Sequence, residues 1–309
     1  MTTPSRMRAF VLKGHGGLDK LEFHDDWPAP EPGNGEVLIE VGACGCNNTD
    51  INTRTGWYSK GVTEGTTAEG GKSGFDTAGV GDGGWGGNLT FPCIQGADVC
   101  GRVVGLGKGA PSDLLGRRVL IDTWVRDWDD PLNMDKCRYF GSELDGGYAD
   151  YTVAPSKSVH PIESPLSDVE LATFATSYIA AENMLHRANV GDGDVILISG
   201  ASGGVGSALI QLANRRGAQS IAMSSISKAD AVREIGASAV LPRQPANLRQ
   251  ELEAETGYAE VDVVADVWSA AQSGRNSSTS WHVAAATRAL ALSRGLSSSS
   301  ISEPFISAT

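Results

Sequence analysis

Residues 195–213 read VILISGASGGVGSALIQLA, and this stretch decides the fold. The first four residues are apolar and mostly β-branched, which is typical of a buried strand. Four glycines follow within the next eight residues, and apolar residues then recur at helical spacing. A strand, a tight glycine turn and a helix start together present free backbone N–H groups to a pyrophosphate. The stretch predicts a dinucleotide-binding βαβ unit; the alternative is a purely structural glycine turn between a buried strand and a helix.

Length, charge and cysteine content limit the function classes. The chain has 309 residues, which predicts one large or two medium domains. Its net charge of −12 and the lack of any Lys/Arg run argue against nucleic acid or an anionic membrane as partner. It has no apolar window of ~18 residues and no apolar signal core. Five cysteines are an odd number and indicate thiols rather than a disulfide framework. We expect a cytoplasmic protein with a small-molecule substrate.

The first half of the chain has a β-rich pattern. Short apolar runs are separated by Gly, Pro, Asn and Asp, which favours a small barrel or sandwich. Within 61–87, eleven of 27 residues are glycine, and we expect a long mobile loop there. The predicted strands are 7–12, 21–24, 36–41, 99–104, 118–123 and 148–153.

Strand-like and helix-like segments alternate in the second half. A capping box at Ser167-Asp-Val-Glu170 predicts a helix start. Predicted strands at 195–199, 220–223, 239–241 and 261–264 are separated by helices, and this rhythm predicts a parallel, doubly wound sheet. We therefore expect an α/β protein with a barrel domain over 1–160, a nucleotide-binding domain over 161–267 and an atypical tail over 268–309.

The tail differs in composition from everything before it. It contains 12 serines and no Asp, Lys or Tyr, and its apolar residues mostly lack a strand or helix period. Such composition is typical of poorly foldable, low-complexity sequence. We hypothesise a reading-frame shift near codon 267 with an early stop. Re-reading the nucleotide sequence in the other two frames tests this, and the idea fails if neither frame yields strand-like sequence.

Four motifs occur in a fixed order. They are Gly45-Cys-Asn-Asn-Thr-Asp50 with Arg54, Gly56 and Tyr58; Gly96-Ala-Asp-Val-Cys-Gly101 with Val103; Gly146-Gly-Tyr-Ala-Asp-Tyr151; and Ala201-Ser-Gly-Gly-Val-Gly206 followed by Gln211-Leu-Ala. With these, the chain resembles the zinc-less, quinone oxidoreductase-like branch of the medium-chain dehydrogenase/reductase superfamily over about residues 7–267. The resemblance implies a GroES-like β-barrel with the substrate cleft, a Rossmann domain for NAD(P)H whose C-terminal part is incomplete here, and a homodimer.

The resemblance also bears on metal. Zinc-dependent members of the superfamily bind catalytic zinc through a Cys, a His and an acidic residue. At the matching places this chain has Asn47, Ala97 and Asp98, so two of the three ligands are missing. The structural zinc of that group needs four closely spaced cysteines, whereas Cys137 stands alone in its segment. We expect no zinc in either site.

The resemblance places Asn47, Asp50, Arg54 and Tyr58 near the cleft as candidate catalytic residues. Asn47 would donate an N–H to a carbonyl oxygen where charge develops. Tyr58 would stack on a flat acceptor or deliver a proton, or it only packs. Asp50 and Arg54 are alternatively a structural ion pair. Thr49 occupies the place of a proton-relay hydroxyl of the zinc enzymes, a role that the loss of zinc puts in question.

The end of the second strand in the nucleotide-binding unit bears on cofactor choice. An NAD-specific site places Asp or Glu there to bind the ribose 2′-OH. This chain instead has serines and Lys228, which would bind a 2′-phosphate through hydrogen bonds and charge. We favour NADPH over NADH, the alternative being that Lys228 is an ordinary solvated residue. The predicted cofactor contacts are Ser202, Gly203, Gly204, Val205, Gly206, Ser224, Ser225 and Lys228.

The leading hypothesis is an NADPH-dependent oxidoreductase that transfers hydride to a quinone or an activated carbonyl or enone without zinc. The cofactor carries this chemistry, and an electron-poor acceptor stabilises charge itself. One alternative is a zinc-type alcohol dehydrogenase, which stoichiometric zinc with alcohol turnover would support. The other is an inactive, truncated relic that at most binds nucleotide, and the abnormal tail favours it.

Overall fold

The structure is a computed structural model that describes residues 4–66, 69–85 and 87–267, together with the backbone of Ala285–Arg288. The chain forms two compact units, Met1–Thr176 and Ser177–Thr309. The sequence analysis placed a boundary after residue 160, whereas the structure groups residues 161–176 with the first unit. None of the helices in the described ranges is long and apolar enough to cross a membrane.

The first unit is built mainly from antiparallel strands. They are β1 (Arg6–Leu12), β2 (Leu21–Pro28), β3 (Glu36–Gly45), β4 (Cys93–Ile94), β5 (Asp98–Leu106), β6 (Arg118–Ile121), β7 (Trp124–Val125), β8 (Arg138–Tyr139), β9 (Tyr151–Pro155) and β10 (Val159–Pro161). A five-stranded sheet has the order β10-β6-β5-β3-β9, a three-stranded sheet has the order β2-β1-β4, and β7 pairs with β8.

The core of this unit follows from strand alternation. Val37 and Ile39 on β3 face the same side as Val99 and Val103 on β5, and all four are buried in one apolar cluster. The predicted strands of the first half are confirmed, with shifts of a few residues at their ends. Antiparallel pairing sets Gly45 of β3 opposite Asp98 of β5, which brings the first two sequence motifs side by side. This register positions the candidate site.

Short helices complete the first unit. They are α1 (Asn48–Thr55), α2 (Gly70–Ser73) and α3 (Asp168–Leu171). The predicted capping box at the start of α3 is confirmed, since the Ser167 backbone N–H donates to Glu170 Oε2 at 2.7 Å. The glycine-rich stretch 61–87 is not simply an open loop, because it contains α2 and buries Phe75 against Trp57 and Val62. Residues 67, 68 and 86 of that stretch lie outside the described residues.

The second unit is an α/β sheet. The described elements from α4 onward are α4 (Ala175–Arg187), β11 (Val195–Ile198), α5 (Gly204–Arg215), β12 (Gln219–Ser224), α6 (Ala229–Glu234), β13 (Ala239–Pro242), α7 (Leu248–Thr256), β14 (Val263–Asp266) and β15 (Ala285–Arg288). The strand order is β13-β12-β11-β14-β15, with the first four strands parallel. The predicted doubly wound, Rossmann-like sheet is confirmed. Helical apolar residues such as Leu209 and Ile210 pack on it and are fully buried.

The tail is described only in part. Backbone pairing places Ala285–Arg288 antiparallel to β14 at the edge of the sheet. These four residues form a strand within the tail that the sequence analysis described as poorly foldable. The remainder of the predicted tail, 268–284 and 289–309, lies outside the described residues.

Candidate active site

Asn47 lies where the first two motifs meet. It is the residue before α1, and its backbone N–H donates to Asp50 Oδ2 at 2.7 Å, so Asp50 satisfies a donor at the helix start. Its side-chain Nδ2 donates to Asp98 Oδ2 at 3.1 Å. The pairing of Gly45 with Asp98 explains this contact, because it places the end of β3 beside the start of β5.

Two buried carboxylates, those of Asp50 and Asp98, accept hydrogen bonds from the segments around Asn47. Asp50 Oδ1 accepts the Gly96 backbone N–H at 3.2 Å, and burial raises the pKa of Asp50 to about 6. Asp98 Oδ1 accepts the Thr176 backbone N–H at 2.6 Å. Burial also raises the pKa of Asp98, against the hydrogen bonds from Thr176 and Asn47 that lower it. Both residues are only 2–7% exposed, so neither carboxylate is open to solvent to any large extent.

Arg54 does not pair with Asp50. Its Nη1 donates to the backbone carbonyls of Gly16 and Lys72, which connects α1 to the loop at Gly16 and to α2. The oxygens of Asp50 are bound by the backbone N–H groups of Asn47 and Gly96 instead. The ion pair left open by the sequence is therefore absent, and the geometry gives Arg54 a structural role.

Tyr58 reaches Thr49. Its hydroxyl donates to Thr49 Oγ1 at 3.3 Å, and Trp85 Nε1 donates to the same oxygen at 2.8 Å. Two incoming donors use both lone pairs of the Thr49 hydroxyl, so its own proton is directed to a further acceptor. The Tyr58 ring is 9% exposed and lies against Trp57 and Trp85, with ring centroids 5.4 and 5.3 Å away. This burial favours proton delivery or packing over stacking on a substrate.

Aromatic side chains extend from Trp85. Its ring stacks on Tyr139 at 5.3 Å and meets the edge of Trp124, also at 5.3 Å. The Tyr139 hydroxyl lies 3.2 Å from Thr176 Oγ1, and burial raises the pKa of Tyr139 above its usual range. The contact of Trp85 with Thr49 was missed from the sequence, because no local pattern links positions 36 residues apart.

The donor set at the former zinc positions does not suit zinc. Ala97 has no ligating atom, and Asp98 uses both oxygens for hydrogen bonds. Across the described ranges, no group of three His, Cys, Asp or Glu side chains lies close enough together to hold a metal ion. Cys46 is exposed, one residue from Asn47, and all five cysteines are free thiols.

The glycine turn of the second unit contains glycines with different packing requirements. Gly203 precedes α5 with φ −88° and ψ 172°, which any residue can adopt. A Cβ built there would meet no atom closer than 3.4 Å, so neither backbone nor packing requires glycine. At Gly206, by contrast, a Cβ would lie 2.6 Å from Ala201 Cα, so close packing of helix on turn requires glycine. The first N–H groups of α5, like those of any α-helix, have no partner within the helix.

The end of β12 offers polar groups to the ribose end of a nucleotide. Ser224 Oγ is buried without a hydrogen-bond partner in the described structure, which a bound polar ligand would supply. Ser225 Oγ lies 3.2 Å from Ser227 Oγ, and Lys228 is exposed. The sequence analysis missed Arg243, which follows Pro242; β12–β13 pairing sets Pro242 opposite Ser224. Only the order of the strands in the sheet brings Arg243 to this end of β12, and strand order is not readable from the sequence.

Comparison with known proteins agrees with this architecture. The alcohol dehydrogenase GroES-like domain family matches residues 33–164. A solved structure from Sinorhizobium meliloti 1021, provisionally described as an alcohol dehydrogenase, is 42% identical, with a TM-score of 0.73 over 85% of this chain and 70% of its own. The chain belongs to the medium-chain dehydrogenase/reductase superfamily. The resemblance inferred from the four motifs is thereby confirmed.

Relatives within the superfamily differ in reaction. Quinone oxidoreductase of Rattus norvegicus is 25% identical over 263 residues, which cover 84% of this chain and 66% of the relative. NAD-dependent alcohol dehydrogenase of Sulfolobus acidocaldarius is 26% identical over 214 residues, covering 67% of this chain and 55% of the relative. The chain thus spans about two thirds of the length of the first and about half of the second.

Proposed function

We propose that this chain is an NADPH-dependent oxidoreductase that transfers hydride to a quinone or an activated carbonyl or enone without a catalytic zinc. The open space over Gly203, at the N-terminus of α5, is the observation that carries the proposal. A glycine that neither backbone nor packing requires is explained by a phosphate that must approach the chain closely. The residues around it, Ser202, Gly204, Val205 and Gly206, supply backbone to the same turn.

The preference for NADPH rests on the end of β12. A 2′-phosphate there would meet Ser225 and Lys228, with no carboxylate to repel it, and would satisfy the buried Ser224 hydroxyl. Arg243 at the end of the neighbouring strand adds a second positive charge nearby. NADH offers no anionic group to these residues, and we expect it to bind more weakly.

The first unit supplies the groups for the acceptor. Bound nicotinamide supplies the hydride, and the protein places and polarises the acceptor. Asn47 Nδ2, fixed by Asp98, donates to the acceptor oxygen as negative charge develops there. Tyr58 donates to Thr49, so a proton lost from Thr49 Oγ1 to the product is replaced from Tyr58. Asp50 and Arg54 hold the start and end of α1 in place.

The two alternative functions are less well supported. A zinc-type alcohol dehydrogenase needs ligands that Asn47 and Ala97 do not provide. An inactive relic is favoured only by the composition of the tail. The homodimer and the cytoplasmic location stay predictions.

Fluorescence titration of the purified chain with NADPH and with NADH tests the proposal, followed by a panel of quinones, enones and alcohols. Saturable binding that favours NADPH, with turnover of quinones or enones, is the expected result. Binding without any turnover would favour the inactive relic, and zinc-dependent alcohol turnover would favour the alcohol dehydrogenase. Absence of binding to both nucleotides would overturn the proposal.

A further inference from the structure

The side chain of Asn47 is held on one side and open on the other. One Nδ2 hydrogen is bound to Asp98 Oδ2 at 3.1 Å, and the backbone N–H of Asn47 is bound to Asp50 Oδ2 at 2.7 Å. Among the described residues, no group accepts the second Nδ2 hydrogen. Asn47 as a whole is half-buried.

Asp98 is itself rigidly held. Its Oδ1 accepts the Thr176 N–H in the first turn of α4 at 2.6 Å, and only 2% of the residue is exposed. Its backbone is fixed in β5 opposite Gly45. A carboxylate is only an acceptor, so it can bind the NH2 end of the Asn47 amide and not the oxygen end. Asp98 therefore selects one of the two flip states of that amide.

From this geometry we propose that Asp98 is a positioning residue: it locks the Asn47 amide so that the free Nδ2 hydrogen is the donor offered to the acceptor oxygen. The inference rests on the proposed function and deepens it. It assigns to Asp98, a position that holds metal in zinc-dependent relatives by resemblance, a different duty in this chain. A neutral amide with one hydrogen committed to a carboxylate takes the place of a Lewis acid.

The substitution Asp98→Asn should reverse the orientation of the Asn47 amide. In this variant the new amide oxygen can still accept the Thr176 N–H, but the new NH2 group then faces Asn47 and requires an acceptor. The Asn47 amide must flip to present its oxygen, which moves its donor hydrogens away from their original place. We expect kcat to fall on the order of tenfold or more with KM for NADPH unchanged, and Asn47→Ala to lower kcat about 100-fold.

A double-mutant cycle separates positioning from general damage. If Asp98 acts only through Asn47, Asp98→Asn causes no further loss of kcat in the Asn47→Ala background. Multiplied losses in the double variant would overturn the proposal. NADPH titration of each variant checks that the second unit is intact.

A spectroscopic measurement on the wild-type chain needs neither turnover nor a folded Asp98 variant. In 15N-asparagine-labelled protein, the Asn47 amide pair is assigned by its loss in Asn47→Ala. The hydrogen that is bound to Asp98 should exchange more slowly than the amide hydrogens of exposed Asn88. Exchange as fast as that of Asn88 would overturn the lock. If the wild type reduced no acceptor while the amide was protected, the proposed function would fall and the lock itself would stand.

Discussion

Replacing Gly203 with alanine tests the nucleotide site with little expected effect on the fold. The new Cβ would be 3.4 Å from Gly200 O, which is ordinary contact, and φ −88° suits alanine. Alanine is a poorer helix N-cap than glycine by about 0.5–1 kcal/mol, and the smaller entropy of its unfolded chain offsets part of that. We therefore expect the melting temperature to change by less than about 3 °C.

The effect on NADPH should be much larger. The methyl group fills the space over which the pyrophosphate meets the first N–H groups of α5. A hydrogen bond to a charged group is worth about 1.5–3 kcal/mol, and each 1.4 kcal/mol is about a factor of ten in Kd. Weakening one such bond predicts a Kd about 10- to 100-fold higher by fluorescence titration.

Gly206 provides the matched contrast. A Cβ there would lie 2.6 Å from Ala201 Cα and closer still to Gly200 O, so alanine must shift backbone. Gly206→Ala should therefore lower the melting temperature, with a cost of about 1–3 kcal/mol. Unchanged NADPH affinity in Gly203→Ala would refute the assignment of that space to the pyrophosphate. A large loss of stability in Gly203→Ala would show that the glycine is structural after all.

Other parts of the molecule allow four more tests. Lys228→Glu should weaken NADPH about tenfold or more by charge repulsion while leaving NADH unchanged, with exposed Lys108→Glu as the charge-matched control; equal losses for both nucleotides would contradict the 2′-phosphate site. Zinc analysis should find substoichiometric metal, and a chelator should leave turnover unaffected; chelator-sensitive turnover would contradict the zinc-independent mechanism. Because burial raises the pKa of Asp50 from its ordinary 3.8 to about 6, its contribution to the free energy of unfolding is fully present below about pH 4 and is lost as pH rises through 6. Denaturant unfolding should show this pH dependence in the wild type and lose it in Asp50→Asn, and an unchanged pH dependence in that variant would count against the buried carboxylate as its source. An enone should be reduced at least about 100-fold faster than its saturated ketone, measured as kcat/KM, and equal rates would indicate an additional electrophile.

Local pattern was enough to predict most of the fold. The run at 195–198, the glycines after it and the helical period beyond set β11, the turn and α5 without reference to the rest of the chain. Ser167 at the start of α3 was likewise readable as a helix cap. These features depend on neighbours within about five residues, which a sequence displays directly.

The arrangement of the candidate site could not be predicted in the same way. The contact of Asn47 with Asp98 depends on the register of β3 against β5, and the contact of Trp85 with Thr49 depends on the path of the glycine-rich segment. The same holds for Arg54: its charge suggested an ion pair with Asp50, but the carbonyls that bind it belong to Gly16 and to Lys72 of α2, which are distant in sequence. Side chains at such junctions are chosen by tertiary register, which local propensity does not encode.

The strength of the available electrophile limits the substrates. A positioned amide donor contributes about 2.7–4 kcal/mol to an oxyanion, and here one of the two Asn47 hydrogens is already bound to Asp98. A metal ion would neutralise the developing charge directly, which a neutral N–H cannot do. An unactivated ketone concentrates the full negative charge on one oxygen as hydride arrives, so it needs that stronger electrophile. A quinone or enone spreads the charge over its own conjugated system, and a single N–H with a nearby Thr49 hydroxyl then suffices. Two of the three zinc ligands are missing, and Asp98 is a hydrogen-bonded carboxylate. Both observations are consistent with the proposed reduction of acceptors whose own conjugated system stabilises the developing charge.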